Sequence, residues 1–578
     1  MRIPAAGWRA SLVSLVLLLA PAFALAQAQP APIYSDRDLV HPVHGQSGMV
    51  ATQEATATRI GLQVLQDGGN AVDAAASVAF ALAVTLPSAG NLGGGGFMVV
   101  HDAASGETVA IDYREKSGGD AFRDMFLDET GEADPEKSRF SGLAIGVPGT
   151  VAGIALALER YGTISLAEAL EPAIELAEGI PVTPDLAQSL EDAKERLQKW
   201  PSAAAVFYKD GGAPYEPGET LVQRDLATSL RLIAEQGPEA FYGGPIGEKI
   251  VAEVRRAGGH LSIDDFRGYQ AVVREPVRGD YRGFEIVSMP PPSSGGVHIV
   301  QILNILEGFP IGFLGPGGAE TIHLMAEAMK LAYADRSEYL GDPDFIDVPV
   351  AALTSKAYAA DLRGLISRKR ARPADGIEPG DLTPYESPET THFSIVDAAG
   401  NAVANTYTIN FSYGTGLVAE GTGILLNNEL DDFSAKPGVP NAYGLIGGDA
   451  NAVGPDKQPL SSMSPTIVLR DGTPFLVTGS PGGPRIITTT LQIMMNVIDH
   501  GMNVAEATWA PRVHHQWLPD ELRIEEGLSP DTIALLEQKG HNVAVKDAMG
   551  LTQSIMATAD GLSGSSDPRT PGALTLGY

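Results

Sequence analysis

Residues 390–410, TTHFSIVDAAGNAVANTYTIN, decide how the chain is read. Two runs with strand-like alternation flank Ala398–Gly400, and Gly400 suits the left-handed position that closes a three-residue hairpin loop with a bulge. In that register Asp397 faces Asn401, and counting back sets Thr390 opposite Thr408. Asn410 then lies two residues further along on the same face. A two-residue loop would shift the pairing by one and separate these side chains. Threonines are ordinary strand residues, so the position of this pair is what matters. Thr390 follows residues 367–389, SRKRARPADGIEPGDLTPYESPE, a proline-dotted stretch that reads as a linker. A threonine hydroxyl is a weak nucleophile without a base beside it, and one way to supply the base is to free its own α-amine by cutting the bond before it. With a pKa near ~8, such an amine is partly neutral at physiological pH. Glu389–Thr390 is the bond such a cut would break.

Composition narrows the alternatives. The 578 residues are 44% hydrophobic and 19% charged, a globular balance over several domains' worth of chain. The formal net charge of −31 argues against nucleic acid, which needs clustered Lys and Arg. Arg368–Arg370 with Arg372 reads as a solvated basic loop. Arg2 and Arg9, the apolar run Ser11–Ala20 and the small residues Ala24–Ala26 have the layout of a secretory signal peptide, with cleavage after Ala26. The apolar run is shorter than the ~20 residues a spanning helix needs. A periplasmic or secreted protein without a membrane span after signal removal is expected. The absence of cysteine excludes thiol nucleophiles and thiolate metal sites.

Helical periodicity marks 53–67, then a helix that starts at an Asn70–Asp73 capping pair and runs to about Leu86, apolar nearly all round and so buried. Further helices are expected at 150–160, 165–177, 225–235 and 321–340. Strands are expected around 97–104 and 109–115, then at 392–397, 402–410, 422–427, 465–470 and 474–479. Neither the helix-rich first part nor the strand-rich second part looks self-contained. Helices covering stacked sheets, an αββα layering, would let them share a core. Gly93–Gly96 lack the Lys-Ser/Thr of a phosphate loop and read as a tight turn. His514 and His515 point to opposite sides of a strand with no third ligand nearby, so packing is the better reading and no metal is expected.

TTHFSIVDAAGNAVANTYTINFSYGTG (390–416) closely resembles the processing-site signature of γ-glutamyltranspeptidases. SAGNLGGGGFM (88–98), DYRE (112–115), GVPG (146–149), PPPSSGG (290–296), NNELDDFSAKPGVPNAYGLIGGDANAVGP (427–455), PLSSMSPT (459–466) and TGSPGGPRI (478–486) extend the resemblance in order along the chain. It implies an α+β fold, the four-layer αββα sandwich of the N-terminal nucleophile hydrolases, built jointly from two autoproteolytic subunits. A signal peptide (1–26), a large subunit (27–389) and a small catalytic subunit (390–578) would follow. Thr390 would attack the Glu389 carbonyl, and after the cut become the catalytic nucleophile, oriented by Thr408.

The same resemblance assigns the pocket. Arg114 offers a bidentate fork to a donor's α-carboxylate, with Ser461 and Ser462 as hydroxyl donors. Asn410, Glu429 and Asp432 would hold the α-ammonium, and the Gly482 and Gly483 amides would receive the oxyanion. Tyr443 would gate a lid formed by residues 437–455. The implied reaction moves the glutamyl group of glutathione or another γ-glutamyl compound to water, an amino acid or a peptide, without a cofactor. A glutaryl or cephalosporin acylase would keep the nucleophile but leave Glu429 and Asp432 without purpose. A periplasmic solute-binding protein would need no cut at all.

Overall fold

Alternating apolar residues build two stacked antiparallel sheets, each covered by helices on its outer face. The computed structural model describes residues 40–377 and 390–578, apart from Pro437, Pro440 and Tyr443. The signal-peptide reading of 1–26, the Glu389 side of the expected cut and the Tyr443 gate therefore lie outside the described residues. In chain order the strands begin with β1 (Val43–Gly45), β2 (Met49–Thr52), β3 (Gly95–Asp102), β4 (Glu107–Tyr113), β5 (Val272–Arg274), β6 (Val277–Tyr281) and β7 (Phe284–Ser288). They continue with β8 (Thr391–Val396), β9 (Ala402–Thr408), β10 (Thr466–Arg470), β11 (Thr473–Thr478), β12 (Gln553–Thr558), β13 (Gly561–Ser566) and β14 (Leu574–Gly577). The helices that frame the site are α1 (Ala55–Gln66), α2 (Ala71–Thr85), α3 (Thr150–Tyr161), α4 (Leu166–Ala177), α5 (Gly295–Leu306), α6 (Ala319–Tyr339) and α7 (Arg485–Ile498).

One sheet has the order β14-β2-β8-β9-β3-β4-β5 and the other β1-β13-β12-β11-β10-β7-β6. Each takes strands from before and after Thr390, so the two parts of the chain do share a core. Met49, Val99, Val287, Ile467, Val477 and Ile555 fill the space between the sheets. Helix α2, buried at every position, covers the first sheet at β8 and β9, with α1 over β2 and β14, α3 over β3 and β4, and α4 packed on α2. Helices α5 and α7 cover the second, with α6 packed on α5. The layering is helix, sheet, sheet, helix. The capping pair is present too: the Asn70 side chain accepts from the Val72 and Asp73 amides, and the Asp73 carboxylate accepts from Asn70 N–H.

The hairpin register sits at the centre of the first sheet. Strand β8 pairs with β2 on one side, Ser394 opposite Ala51, and with β9 on the other, Thr391 opposite Tyr407. Asp397 N–H donates to Asn401 O across the three-residue loop, where Gly400 has φ +90°. One step back from Thr391 in the same register brings Thr390 opposite Thr408. Gly93–Gly96 have a direct role here. A Cβ on Gly94 would lie 2.1 Å from the Thr408 carbonyl oxygen, and one on Gly96 would lie 2.4 Å from Tyr407 Cβ. The glycine run lets the end of β9 lie against neighbouring backbone.

Three expectations need correction. Strand β9 stops at Thr408, not 410, because Asn410 turns into left-handed backbone (φ +71°), which asparagine tolerates; its Nδ2 donates to Asn428 O. Of residues 422–427, only Ile424–Leu425 form a strand, paired with Val418–Ala419 in a separate ribbon. The linker reading fails for residues 367–377. Trp517 Nε1 donates to the Ala374 and Ile377 carbonyls, Ala374 N–H donates to Asp520, and Lys330 Nζ donates to Arg372 O. These partners come from remote parts of the sequence and give the segment the hydrogen bonds that it does not supply itself.

Gly96→Ala forces a methyl into that backbone contact and is expected to cost about 1–3 kcal/mol. A clear drop in melting temperature by differential scanning calorimetry checks this; an unchanged value would mean that the close approach is not needed.

Candidate active site

The end of β9, the Asn428–Asp432 turn, the Leu460–Met463 segment and the loop before α7 enclose one narrow cavity. Thr390, Thr408, Asn410, Arg114, Glu429, Asp432, Ser461, Ser462 and Gly483 all line it. Gly482 adjoins it through Gly483, and Tyr443 is outside the described residues. Thr390 Oγ1 lies 3.4 Å from Thr408 Oγ1. That is longer than a normal O–H···O hydrogen bond, and such contacts commonly tighten only when substrate is bound. Thr408 Oγ1 also accepts the Asn410 amide at 2.8 Å, which fixes its orientation.

Arg114 is fully buried at the end of β4, and its charge is answered by acids from the other end of the chain. Nη1 is bonded to Glu429 Oε1, Nη2 lies 2.6 Å from Asp432 Oδ2, and Nε donates to Pro459 O at 3.2 Å. Glu115, also fully buried, stands 3.7 Å from Nη1. Three carboxyls around one guanidinium cannot all ionise freely. Burial raises the Glu429 carboxyl to about 7, with the Asp432 charge adding and Arg114 opposing. Burial, then the Glu429 charge, pushes Glu115 well above the ordinary range. Asp432 is raised by burial against the pull of Arg114. The turn also sorts its acids by direction. Asp431 points away from the cavity, accepting from Ser138 Oγ at 2.5 Å, with Arg139 Nε at 3.3 Å.

Gly482 and Gly483 occupy positive φ, +130° and +55°, just before α7. Among the described residues neither N–H has a hydrogen-bond acceptor. Two free amides at a helix start, unobstructed by side chains, can receive a developing oxyanion. Ser461 is held by its own amide, which donates to Pro292 O at 2.9 Å, within the contact between residues 290–296 and 459–463.

Arg336 and Glu115 also belong to this site, although the sequence assigned them no role. Arg336 sits on α6, a helix buried on nearly all sides yet carrying His323, Glu327, Lys330 and Arg336. Charges on a helix with no wet face were the signal available in the sequence. His514 Nδ1 bonds Thr488 Oγ1 and His515 Nε2 bonds Asp520, so both are hydrogen-bonded core residues. His323, Glu327 and His541 have donor atoms within 4.8 Å of one another. The Lys330 ammonium lies 2.5 Å from Glu327, however, and opposes a second cation there. A roomier cleft beside Trp200, Tyr215 and Arg256 contains none of the expected site residues.

Comparison with known proteins fits this geometry. The family model described as gamma-glutamyltranspeptidase matches residues 57–576. The glutathione hydrolase proenzyme of Escherichia coli (strain K12) is 58% identical over 568 residues, covering 97% of this chain and 98% of that protein. The acylase ACY 1 proenzyme of Pseudomonas sp. (strain V22) is 41% identical over 511 residues, covering 87% of this chain and 88% of that one. The crystal structure of cephalosporin acylase from Bacillus halodurans superposes with a TM-score of 0.80 at 29% identity, covering 95% of this chain and 99% of that chain.

Arg114→Leu strands the buried carboxyls and is expected to cost about 3–5 kcal/mol of stability. Without the guanidinium these acids keep their protons in the folded state and release them on unfolding, so the deficit grows as pH rises from about 6 to about 8. Urea midpoints at the two pH values measure both effects, and midpoints equal to wild type would refute them.

Proposed function

The chain belongs to the γ-glutamyltranspeptidase family, and from that premise we propose that it is an exported, self-processing γ-glutamyltransferase and hydrolase acting on glutathione and related γ-glutamyl amides. The observation that carries the reading is the meeting of the Thr390 and Thr408 hydroxyls in a cavity walled by Arg114, Glu429 and Asp432. In processing, Thr390 Oγ1 attacks the Glu389 carbonyl carbon, the peptide nitrogen leaves as the Thr390 amine, and water hydrolyses the resulting ester. The products are a large subunit ending at Glu389 and a small subunit beginning at Thr390. The preceding 1–26 segment is read as the signal that directs export to the periplasm. No helix among the described residues is long and apolar enough to cross a membrane.

In turnover, the freed amine, directly or through a water, takes the Thr390 hydroxyl proton as Oγ1 attacks the γ-carbonyl carbon of the donor. The oxyanion is received by the Gly482 and Gly483 amides, and the departing amine leaves with the transferred proton. Water or an acceptor amine, an amino acid or a peptide, then attacks the γ-glutamyl ester and restores the hydroxyl. Ser461, Ser462 and Arg114 hold the donor's α-carboxylate, while Asn410, Glu429 and Asp432 hold its α-ammonium. Tyr443 closes over the pocket and limits water.

A second reading, an acylase for glutaryl-type side chains, draws on the relatives named acylases. The buried carboxylates beside Arg114 weigh against it, since a glutaryl group brings no cation for them.

Thr390→Ala should yield one uncut polypeptide on a denaturing gel and lose turnover of a γ-glutamyl anilide by about a thousandfold or more, where wild type gives two fragments. Cleavage persisting in the variant would refute the processing mechanism, and equal turnover of the glutaryl analogue by wild type would favour the acylase. With the Glu429 carboxyl near 7, donor KM should rise as pH falls below about 7, because the protonated carboxyl no longer attracts an ammonium. Glu429→Gln should flatten that rise; a KM profile still inflecting near the same pH would assign it to another group.

A further inference from the structure

Arg336 is buried near the end of α6, with 4% of its surface exposed, and its side chain lines the active-site cavity. Its hydrogen bonds go to two hydroxyls: Nε donates to Ser294 Oγ at 3.0 Å and Nη2 to Ser462 Oγ at 3.3 Å. Among the described residues no carboxylate lies within ion-pair distance of it. Arg114 presents the contrast, with both terminal nitrogens already on Glu429 and Asp432. Taking a guanidinium out of water costs several kcal/mol unless an anion answers it. Burial holds the Arg336 pKa down at about 10, with Tyr333 and the Asp432 charge opposing and the Arg114 charge adding.

The hydroxyl chemistry gives a substrate anion a place. A serine hydroxyl has one hydrogen to donate and two lone pairs to accept with. Ser294 Oγ accepts from Arg336 and donates to Ser461 O at 2.8 Å. Ser462 Oγ accepts from Arg336, and Ser461 Oγ accepts from Met463 N–H at 3.1 Å. Neither Ser461 nor Ser462 has an acceptor among the described residues for its own hydroxyl hydrogen. Both can therefore donate to an anion that enters between them.

We infer that Arg336 is a positioning and specificity residue for the donor's α-carboxylate, acting by polarising the Ser462 hydroxyl toward that carboxylate and by supplying a buried positive charge that makes no direct ion pair with a protein acid. The inference rests on the γ-glutamyl reading above. It extends the carboxylate site from one arginine to two. Arg114 shares its charge with Glu429 and Asp432, which face the donor's ammonium, whereas Arg336 makes no ion pair and favours the anionic pole alone.

The test compares a γ-glutamyl anilide with its α-carboxamide analogue on wild type, Arg336→Gln and Arg336→Lys. Arg336→Gln should raise KM for the carboxylate donor about tenfold to a hundredfold, the usual scale for a hydrogen bond to a charged group, with little change in kcat. KM for the carboxamide donor should stay near wild type, so the preference for acid over amide shrinks by the same factor. Arg336→Lys, which keeps the charge but not the fork, should recover part of that preference, and it decides the matter if the glutamine variant does not fold. Equal losses with both donors, or a preference unchanged in the variants, would overturn the inference while leaving the functional reading intact. A wild type inert toward the γ-glutamyl anilide would instead sink the functional reading itself.

Discussion

The pairing of β8 with β9 is the constraint on which the site depends. Side chains alternate faces along a strand, so a slip of one residue would turn the Thr390 hydroxyl away from Thr408 and out of the cavity. Several independent contacts hold the register. The Asp397 carboxylate accepts the Ala399 and Asn401 amides inside the hairpin loop, and Gly400 supplies the left-handed corner. At the far end, Asn91 Nδ2 donates to Thr408 O at 2.9 Å, while Gly94 lets that carbonyl approach. A loop aspartate and a glycine run more than three hundred residues upstream thus fix the same pair of hydroxyls.

Electrostatics adds the second layer of specificity. Arg114, Glu429 and Asp432 in the cavity wall, with Glu115 beside Arg114, are a crowd of charges removed from water, which is costly unless the signs balance. The observed balance has the guanidinium at the centre, acids around it and a separate cation, Arg336, with only hydroxyl partners. A zwitterion matches such a site at both poles. A ligand with a single charge would leave one side of the arrangement unanswered.

Much of this could be read in the sequence because the decisive signals are local. The hairpin is encoded by Gly400 and alternation within about ten residues on either side, and the α2 cap by Asn70 and Asp73. Nine of the expected site residues, Arg114, Thr390, Thr408, Asn410, Glu429, Asp432, Ser461, Ser462 and Gly483, line one cavity, and each sits in a short motif. What escaped is what depends on distant partners. The order of residues 367–377 comes from Trp517, Asp520 and Lys330, none of which leaves a mark in that segment. Arg336 falls within the helix expected at 321–340, and nothing local to it marks Ser294 and Ser462 as its partners. The expected strand runs two residues too far, to Asn410, because side-chain alternation does not show where the backbone leaves the sheet.

The place of β8 within its sheet has one more consequence. It lies between β2 and β9, two strands inward from the β14 edge, so breaking the bond ahead of it would free a chain end and remove no ladder hydrogen bond. To drift apart, the two pieces would have to unzip β2 from β8 and β9 from β3, which amounts to dismantling the sandwich. For the cut molecule, separation and unfolding would thus be one event, slow on dilution but, unlike the unfolding of an uncut chain, dependent on concentration.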